Sequence, residues 1–190
     1  MTNHWDYQDQ GHKYLCNGVE KPSVTKLVSY AVGDIYKGIP PQILQRKANY
    51  GTHIHEVIQN YILGFNQKVV DDQLLKESIN TLAEFIMVTD GIKFTEVEKM
   101  VTYEDRFGGR FDLMDSNGYI YDIKTTSKLH KTNLEWQLGL YYLANGKMKR
   151  KGYCIWLPKG KEGKMVEIKP KTKTECLDLL ERYETDSTIQ

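Results

Sequence analysis

Gly109-Arg110-Phe111-Asp112-Leu113-Met114-Asp115-Ser116-Asn117-Gly118-Tyr119-Ile120-Tyr121-Asp122-Ile123-Lys124 is the stretch that decides how this chain is to be read. Its two ends, 109–114 and 119–124, alternate in strand fashion, and 115–118 between them is turn chemistry, which predicts a β-hairpin. Register then decides what the charged residues can do. A two-residue loop at Asn117-Gly118 sets Asp112 opposite Ile123 and sends the two aspartates to opposite faces of the sheet. A three-residue loop, with a type I turn over Ser116 and Asn117 and Gly118 in the left-handed region, sets Asp112 opposite Asp122. Asp115 is a favoured first residue for that turn and Gly118 accepts a positive φ, so the three-residue loop is expected. Lys124, two residues beyond Asp122, then shares its face.

Two carboxylates and an amine on one face make a divalent-cation site with a group beside it to orient water. Hard carboxylate oxygens suit Mg²⁺, and a bound cation lowers the pKa of water and offsets charge on a phosphodiester under attack. An Asp and a Lys two apart on a strand are also common as plain solvated residues, so the surroundings carry the distinction. The helix expected from Gly51 to Leu63 carries Ile54, Val57, Ile58, Tyr61 and Ile62 on one stripe. At about 100° per residue, His55 falls at the edge of that stripe beside Ile62, His53 lies at the opposite edge and Glu56 points away. An imidazole at such a margin serves either a neighbouring pocket or as a satisfied structural histidine. Gly51, one turn earlier on the same side, admits close approach of backbone or substrate. Gln137 and Tyr141 share a face with Leu134 and Leu138 on a helix apolar on most sides. They are either ordinary core hydrogen-bonding groups or the lining of a polar pocket. Glu96 and Glu98, on the strand before the hairpin, read as solvated strand residues, with Glu98 an outlying site candidate.

The 190 residues fit a single domain, 1–190, with a substantial core, and 40% hydrophobic with 27% charged residues is ordinary for a soluble globular protein. No run approaches the roughly 20 apolar residues of a membrane span. The opening Met1-Thr2-Asn3-His4-Trp5-Asp6 lacks a basic-then-apolar signal pattern. Cys16, Cys154 and Cys176 are odd in number and in no metal-ligand spacing, so a reduced, cytoplasmic protein is expected. The net charge of +1 hides an asymmetry: ten basic residues against Glu162 and Glu167 make 147–173 net +8 and leave the remainder at −7. Such a basic run suits phosphate contact beside an acidic cation site, or is a solvated lysine-rich hairpin.

Along the rest of the chain, 10–22 reads as a small N-terminal hairpin turning at Asn17-Gly18, an appendage to the main domain. Ser23 caps a helix over Val24 to Val32, and Pro40-Pro41 opens a helical region through Tyr50 that Gly51 continues or restarts. Asp71 to Asp90 is a third helix, with Leu74, Leu75, Ile79, Leu82, Phe85 and Ile86 at helical spacing. Phe94 to Tyr103, Gly152 to Leu157 and Met165 to Ile168 are strands, Leu134 to Ala144 a buried helix, and Thr172 to Tyr183 a closing helix. This order predicts a mixed α/β fold, a short central mixed β-sheet flanked by helices.

His55 after Gly51-Thr52, then Gly109-Arg110-Phe111-Asp112, Asp122-Ile123-Lys124-Thr125 and Gln137-x-x-x-Tyr141 come in the order of the PD-(D/E)XK nuclease superfamily. They resemble its RecB-type branch most closely. Pro22-Ser23-Val24-Thr25 with Gly51-Thr52-x-x-His55 is similar to phage and mitochondrial genome maintenance exonucleases. The resemblance spans about 12–157 and implies a restriction-endonuclease-like core. It also implies that Asp112, Asp122 and the Ile123 carbonyl bind Mg²⁺ or Mn²⁺, with His55 helping to bind or position the metal. Lys124 would orient the attacking water, and Gln137 and Tyr141 complete the pocket. The implied activity is metal-dependent hydrolysis of DNA, from single- or double-stranded ends, in replication, recombination or repair, with phage or host recombination proteins as partners. Some members carry an iron–sulfur cluster on four cysteines, one before the histidine and three near the C-terminus. Cys16, Cys154 and Cys176 do not make that set, so no cluster is expected. Two rivals remain: a non-cleaving DNA-binding module on the same fold, and a structure- or sequence-specific endonuclease, for which the chain shows no base-reading or dimer signature.

Overall fold

The computed structural model describes residues 3–8, 11–33, 37–64 and 72–188. The chain opens with a three-stranded antiparallel sheet of β1 (Trp5–Gln8), β2 (Lys13–Cys16) and β3 (Val19–Lys21). The expected turn at Asn17-Gly18 joins β2 to β3, with φ of 50° and 80° and Cys16 paired to Val19, as a two-residue hairpin loop requires. β1 was not anticipated; four residues are too few for alternation to announce a strand. In α1 (Val24–Val32) the Lys26 N–H donates to Ser23 Oγ at 3.1 Å, the predicted cap. α2 (Pro41–Ile62) is one continuous helix: Pro41 stands in its first turn, where a missing N–H goes unused, and Gly51 does not interrupt it. There follow α3 (Asp72–Val88), β4 (Phe94–Tyr103), β5 (Phe107–Asp115), β6 (Ile120–Lys124) and α4 (Lys131–Ala144). β7 (Gly152–Trp156), β8 (Lys164–Ile168) and α5 (Lys173–Thr188) complete the chain.

The main sheet has the order β4-β5-β6-β7-β8, antiparallel except for β6 and β7. That parallel pair needs a crossover, which α4 supplies. α1, α4 and α5 cover one face with a core that includes Leu27, Phe107, Phe111, Leu138, Tyr142 and Leu179. α2 and α3 cover the other around Ile54, Ile58, Phe85, Leu113, Ile123 and Ile155. The fold is therefore the predicted one, a short mixed sheet flanked by helices. No helix among the described residues is long and apolar enough to cross a membrane.

Two apolar stripes depart from expectation. Tyr61 of α2, and Ile79 and Ile86 of α3, are exposed rather than buried. The buried face of α3 runs instead through Ser78, Thr81 and Phe85, where Ser78 Oγ meets His53 Nε2 at 2.8 Å and Thr81 Oγ1 meets Tyr50 Oη at 2.9 Å. Polar groups that satisfy one another across two helices can be buried without an unpaired donor or acceptor, and a count of hydrophobic spacing cannot see the pairing. The side chains of Leu74 and Leu75 lie outside the described residues.

α5 begins in a reciprocal cap. The Glu175 N–H donates to Thr172 Oγ1 at 3.3 Å, and the Thr172 N–H and hydroxyl both donate to Glu175 Oε2 at 2.8 Å. The backbone bond from Thr172, then its hydroxyl, hold the Glu175 carboxyl down at about 2, against an ordinary 4.5. A group depressed in this way stabilises the fold above its unfolded pKa, and that contribution is lost as pH falls from 4.5 toward 2. Thr172→Ala is expected to lower stability by about 1 kcal/mol near neutral pH. In urea unfolding, its gap from the wild type should narrow as the solution is acidified below about pH 4.

Candidate metal centre

The β5–β6 hairpin adopts the register expected of a three-residue loop. Leu113 pairs with Tyr121, Met114 with Ile120, and the Asp115 N–H donates to the Tyr119 carbonyl at 3.0 Å across residues 116–118. Asp115 accepts from the backbone of Asn117 and Tyr119, both at 2.9 Å, and Gly118 has φ of 75°. Continued by one residue, this register sets Asp112 level with Asp122, but the strands part there. The Ile123 N–H, which a regular ladder would direct to a β5 carbonyl, donates to Asp112 Oδ2 at 2.6 Å, while β6 stays paired with β7 as far as Lys124 and Trp156. A carboxylate thus replaces backbone at the mouth of a fork between two strands.

On its other side β5 meets a second irregularity. Glu98 of β4 has φ of 47°, and the pairs Val97–Leu113 and Lys99–Phe111 on either side place it opposite Asp112. A glutamate in the left-handed region within a strand is strained. Side-chain alternation changes there too: Phe111 joins the core under α1 and α4, whereas Leu113, two residues on, joins the core under α2 and α3. Asp112 occupies the crease.

Into this crease α2 brings His55. Its Nδ1 lies 3.4 Å from Asp112 Oδ1 and 3.7 Å from Glu98 Oε1, and its Nε2 lies 3.2 Å from the Ile123 carbonyl oxygen. His55, Glu98 and Asp112 each offer one ligand atom within 4.8 Å of the others. Asp122 stands beside this set and outside it, 2% exposed, with Oδ2 2.6 Å from Lys124 Nζ. Glu98 also receives Arg110 Nε at 2.9 Å, and the Arg110 guanidinium lies 5.0 Å from the centre of the Tyr7 ring of β1. The N-terminal sheet therefore reaches the site through Tyr7.

The electrostatics follow from burial and crowding. Burial alone would depress the His55 imidazolium, but the Asp112 and Glu98 carboxylates overcome it and raise the group to about 10. Burial likewise opposes ionisation of Asp112, yet His55 and Lys124 hold its carboxyl below the usual range. For Asp122 burial prevails: opposed by Lys124 and reinforced by Asp112, it lifts the carboxyl to about 6. Burial works against the Lys124 ammonium, but Asp122 and Asp112 hold it above the ordinary lysine range.

Gln137 and Tyr141 meet on α4, where Gln137 Nε2 donates to the Tyr141 hydroxyl at 3.2 Å. Burial, then the Asp112 and Asp122 charges, push the Tyr141 phenol well above its usual value. Gly109 makes room for it: a Cβ there would stand 2.9 Å from Tyr141 Cε1 and 2.6 Å from Val24 Cγ2. The room expected at Gly51 is not used in the same way, since a Cβ there meets only Thr125 Oγ1, at 3.4 Å. His53, the weaker histidine candidate, is bonded to Ser78.

The structure thus gathers His55, Asp112, Asp122, Lys124 and the Ile123 carbonyl at one fork, with Gln137 and Tyr141 on the covering helix. It adds Glu98 as a full participant, which spacing along β4 placed only at the margin. The basic run of 147–173 does not form one stripe. Lys149 and Lys151 lie over Tyr119 at 5.3 and 5.2 Å, Lys159 pairs with Glu77 at 2.7 Å, and Lys171 pairs with Glu175 at 3.1 Å. Because β7 and β8 are antiparallel, 147–151 and 169–173 flank one end of the pair and 159–164 lies at the other.

The residues fit a hard divalent cation. Carboxylate, carbonyl and imidazole donors converge, and the buried Asp122 Oδ2 is left without a hydrogen bond although the ammonium touches it.

No protein-family profile matches the chain, and no characterised protein matches it by sequence. By structure it is similar to LHK-Exo, an alkaline exonuclease from Laribacter hongkongensis, with a TM-score of 0.51, 12% identity and 87% of each chain covered. LHK-Exo in complex with dAMP gives a TM-score of 0.50, 13% identity and the same 87% coverage of both chains. At such low identity the likeness is one of fold alone, a mixed sheet flanked by helices.

Proposed function

We propose that this chain is a metal-dependent DNA nuclease that hydrolyses phosphodiester bonds from DNA ends, in replication, recombination or repair. The observation that carries this reading is the convergence of His55, Glu98 and Asp112 beside the Asp122–Lys124 pair at the fork of β5 and β6. The fold shared with LHK-Exo, and the deoxynucleotide named with that protein, support DNA as the substrate.

His55, Glu98 and Asp112 would hold Mg²⁺ or Mn²⁺, with Asp122 and the Ile123 carbonyl completing the oxygen donors. Such a cation supplies positive charge to the phosphate and acidifies a water. The Lys124 ammonium, anchored by Asp122, donates a hydrogen bond to the attacking water or to a phosphate oxygen. Tyr141 accepts from Gln137, which reserves its own proton for a phosphate oxygen. Hydrolysis adds water oxygen to phosphorus and breaks one P–O ester bond, the departing oxygen taking up a proton.

The test compares end-labelled linear DNA with covalently closed circular DNA in Mg²⁺. The linear substrate should shorten from its ends, the closed circle should survive, and chelation with EDTA or Asp122→Ala should abolish digestion. Undiminished cleavage by Asp122→Ala would reject the assignment, and rapid nicking of the circle would replace an exonuclease by an endonuclease.

A further inference from the structure

The outward face of α3 carries an apolar stripe that the described residues leave uncovered. Ile79, Ile86 and Met87 are 55%, 39% and 63% exposed. With exposed Lys76, Asn80, Ala83 and Asp90 they lie directly opposite the buried line of Ser78, Thr81 and Phe85. Single exposed apolar residues need no explanation, but a stripe at helical spacing marks a contact surface.

The stripe is complementary to itself. In two such helices running antiparallel about a twofold axis through Ala83, each residue 83−n meets 83+n of the other copy. Ile79 then meets Met87, Asn80 meets Ile86, and Lys76 meets Asp90, just past the helix end. The small Ala83 side chain on the axis allows close approach. The positions 76, 79, 83, 86 and 90 alternate steps of three and four, the spacing of paired helices. Neither Lys76 nor Asp90 enters an ion pair among the described residues, so both charges are available to a partner.

We propose that α3 is a self-association surface whose occupant is the α3 of a second copy, antiparallel, with Ala83 on the twofold axis and two Lys76–Asp90 pairs closing its ends. A single helix pair buries less than about 1,200 Å², the range of weak interfaces, so the dimer forms at micromolar concentration and above. This does not depend on the nuclease reading.

Sedimentation of the full chain without DNA or metal, over a wide concentration range, tests it. The mass should rise toward two copies, and Ile86→Glu should hold the chain monomeric with an unchanged circular dichroism melt. Lys76→Glu should weaken association about tenfold, and adding Asp90→Lys should restore it. Cys16, Cys154 and Cys176 are buried, so an introduced thiol can be followed alone. Ala83→Cys should form a disulfide-linked dimer under mild oxidation much faster than Glu181→Cys, on the exposed face of α5. A chain that stays monomeric throughout overturns the proposal. So does one that associates while Ala83→Cys links no faster than Glu181→Cys.

Discussion

Asp112→Asn is expected to lower DNA cleavage about a thousandfold or more while leaving the chain folded. The asparagine amide oxygen can still accept from the Ile123 N–H, now bonded to Asp112 Oδ2 at 2.6 Å, so the fork between β5 and β6 keeps its closure. What disappears is the charge that faces His55 at 3.4 Å and is shared with Glu98 in the only three-residue ligand set among the described residues. Asp112→Ala removes both functions. It strands a backbone donor inside the protein and should cost a further 1–3 kcal/mol or so of stability. A second readout separates binding from chemistry: Mn²⁺ should raise the melting temperature of the wild type, as any ligand of the native state does, and should leave that of Asp112→Asn unmoved. A full Mn²⁺ shift in Asp112→Asn would mean that the cation binds elsewhere.

The turn that brings Asp112 level with Asp122 was legible in the sequence because its determinants are local. Asp115 bonds its own backbone two and four residues on, and Gly118 takes the positive φ, so four neighbouring letters decide the register. The parting of the strands beyond Leu113 was not legible. It depends on β6 keeping β7 as a partner while a side chain takes over from β5, a competition between elements distant in sequence. Glu98 was missed as a principal for the same reason: nothing along β4 marks a left-handed residue, and its partners Arg110 and His55 come from β5 and α2. Charge counting failed differently. Ten cations within 147–173 promised one surface, but strand direction and local acids such as Glu77 and Glu175 separate them. The apolar letters of α3 misled because its buried face is built on hydroxyls that pair with α2.

Lys124→Met is expected to abolish cleavage and also to cost about 3 kcal/mol of stability, although lysine and methionine fill similar space. The cost comes from the group left behind. Asp122 is 2% exposed, its Oδ2 has no hydrogen bond, and the Lys124 ammonium at 2.6 Å is the cation in contact with it. Lys124 itself is 31% exposed, so solvent shares its charge, which places the loss at the lower end of the range for broken buried pairs. Adding Asp122→Asn removes the stranded charge, and the double variant should recover most of the lost stability. Asp122→Asn alone leaves an ammonium that water and Asp112 can still satisfy, and should cost about 1 kcal/mol. The cycle then gives a coupling energy of about 3 kcal/mol, read from urea midpoints at constant slope. Cleavage does not follow stability: all three variants should be inactive, the two that carry Lys124→Met because the water or phosphate oxygen loses its donor, and Asp122→Asn because the cation loses a carboxylate. An additive cycle, with the double variant as unstable as the sum of the singles, would show that Asp122 and Lys124 do not act as an ion pair. Recovery of cleavage in the double variant would remove Lys124 from the chemistry altogether.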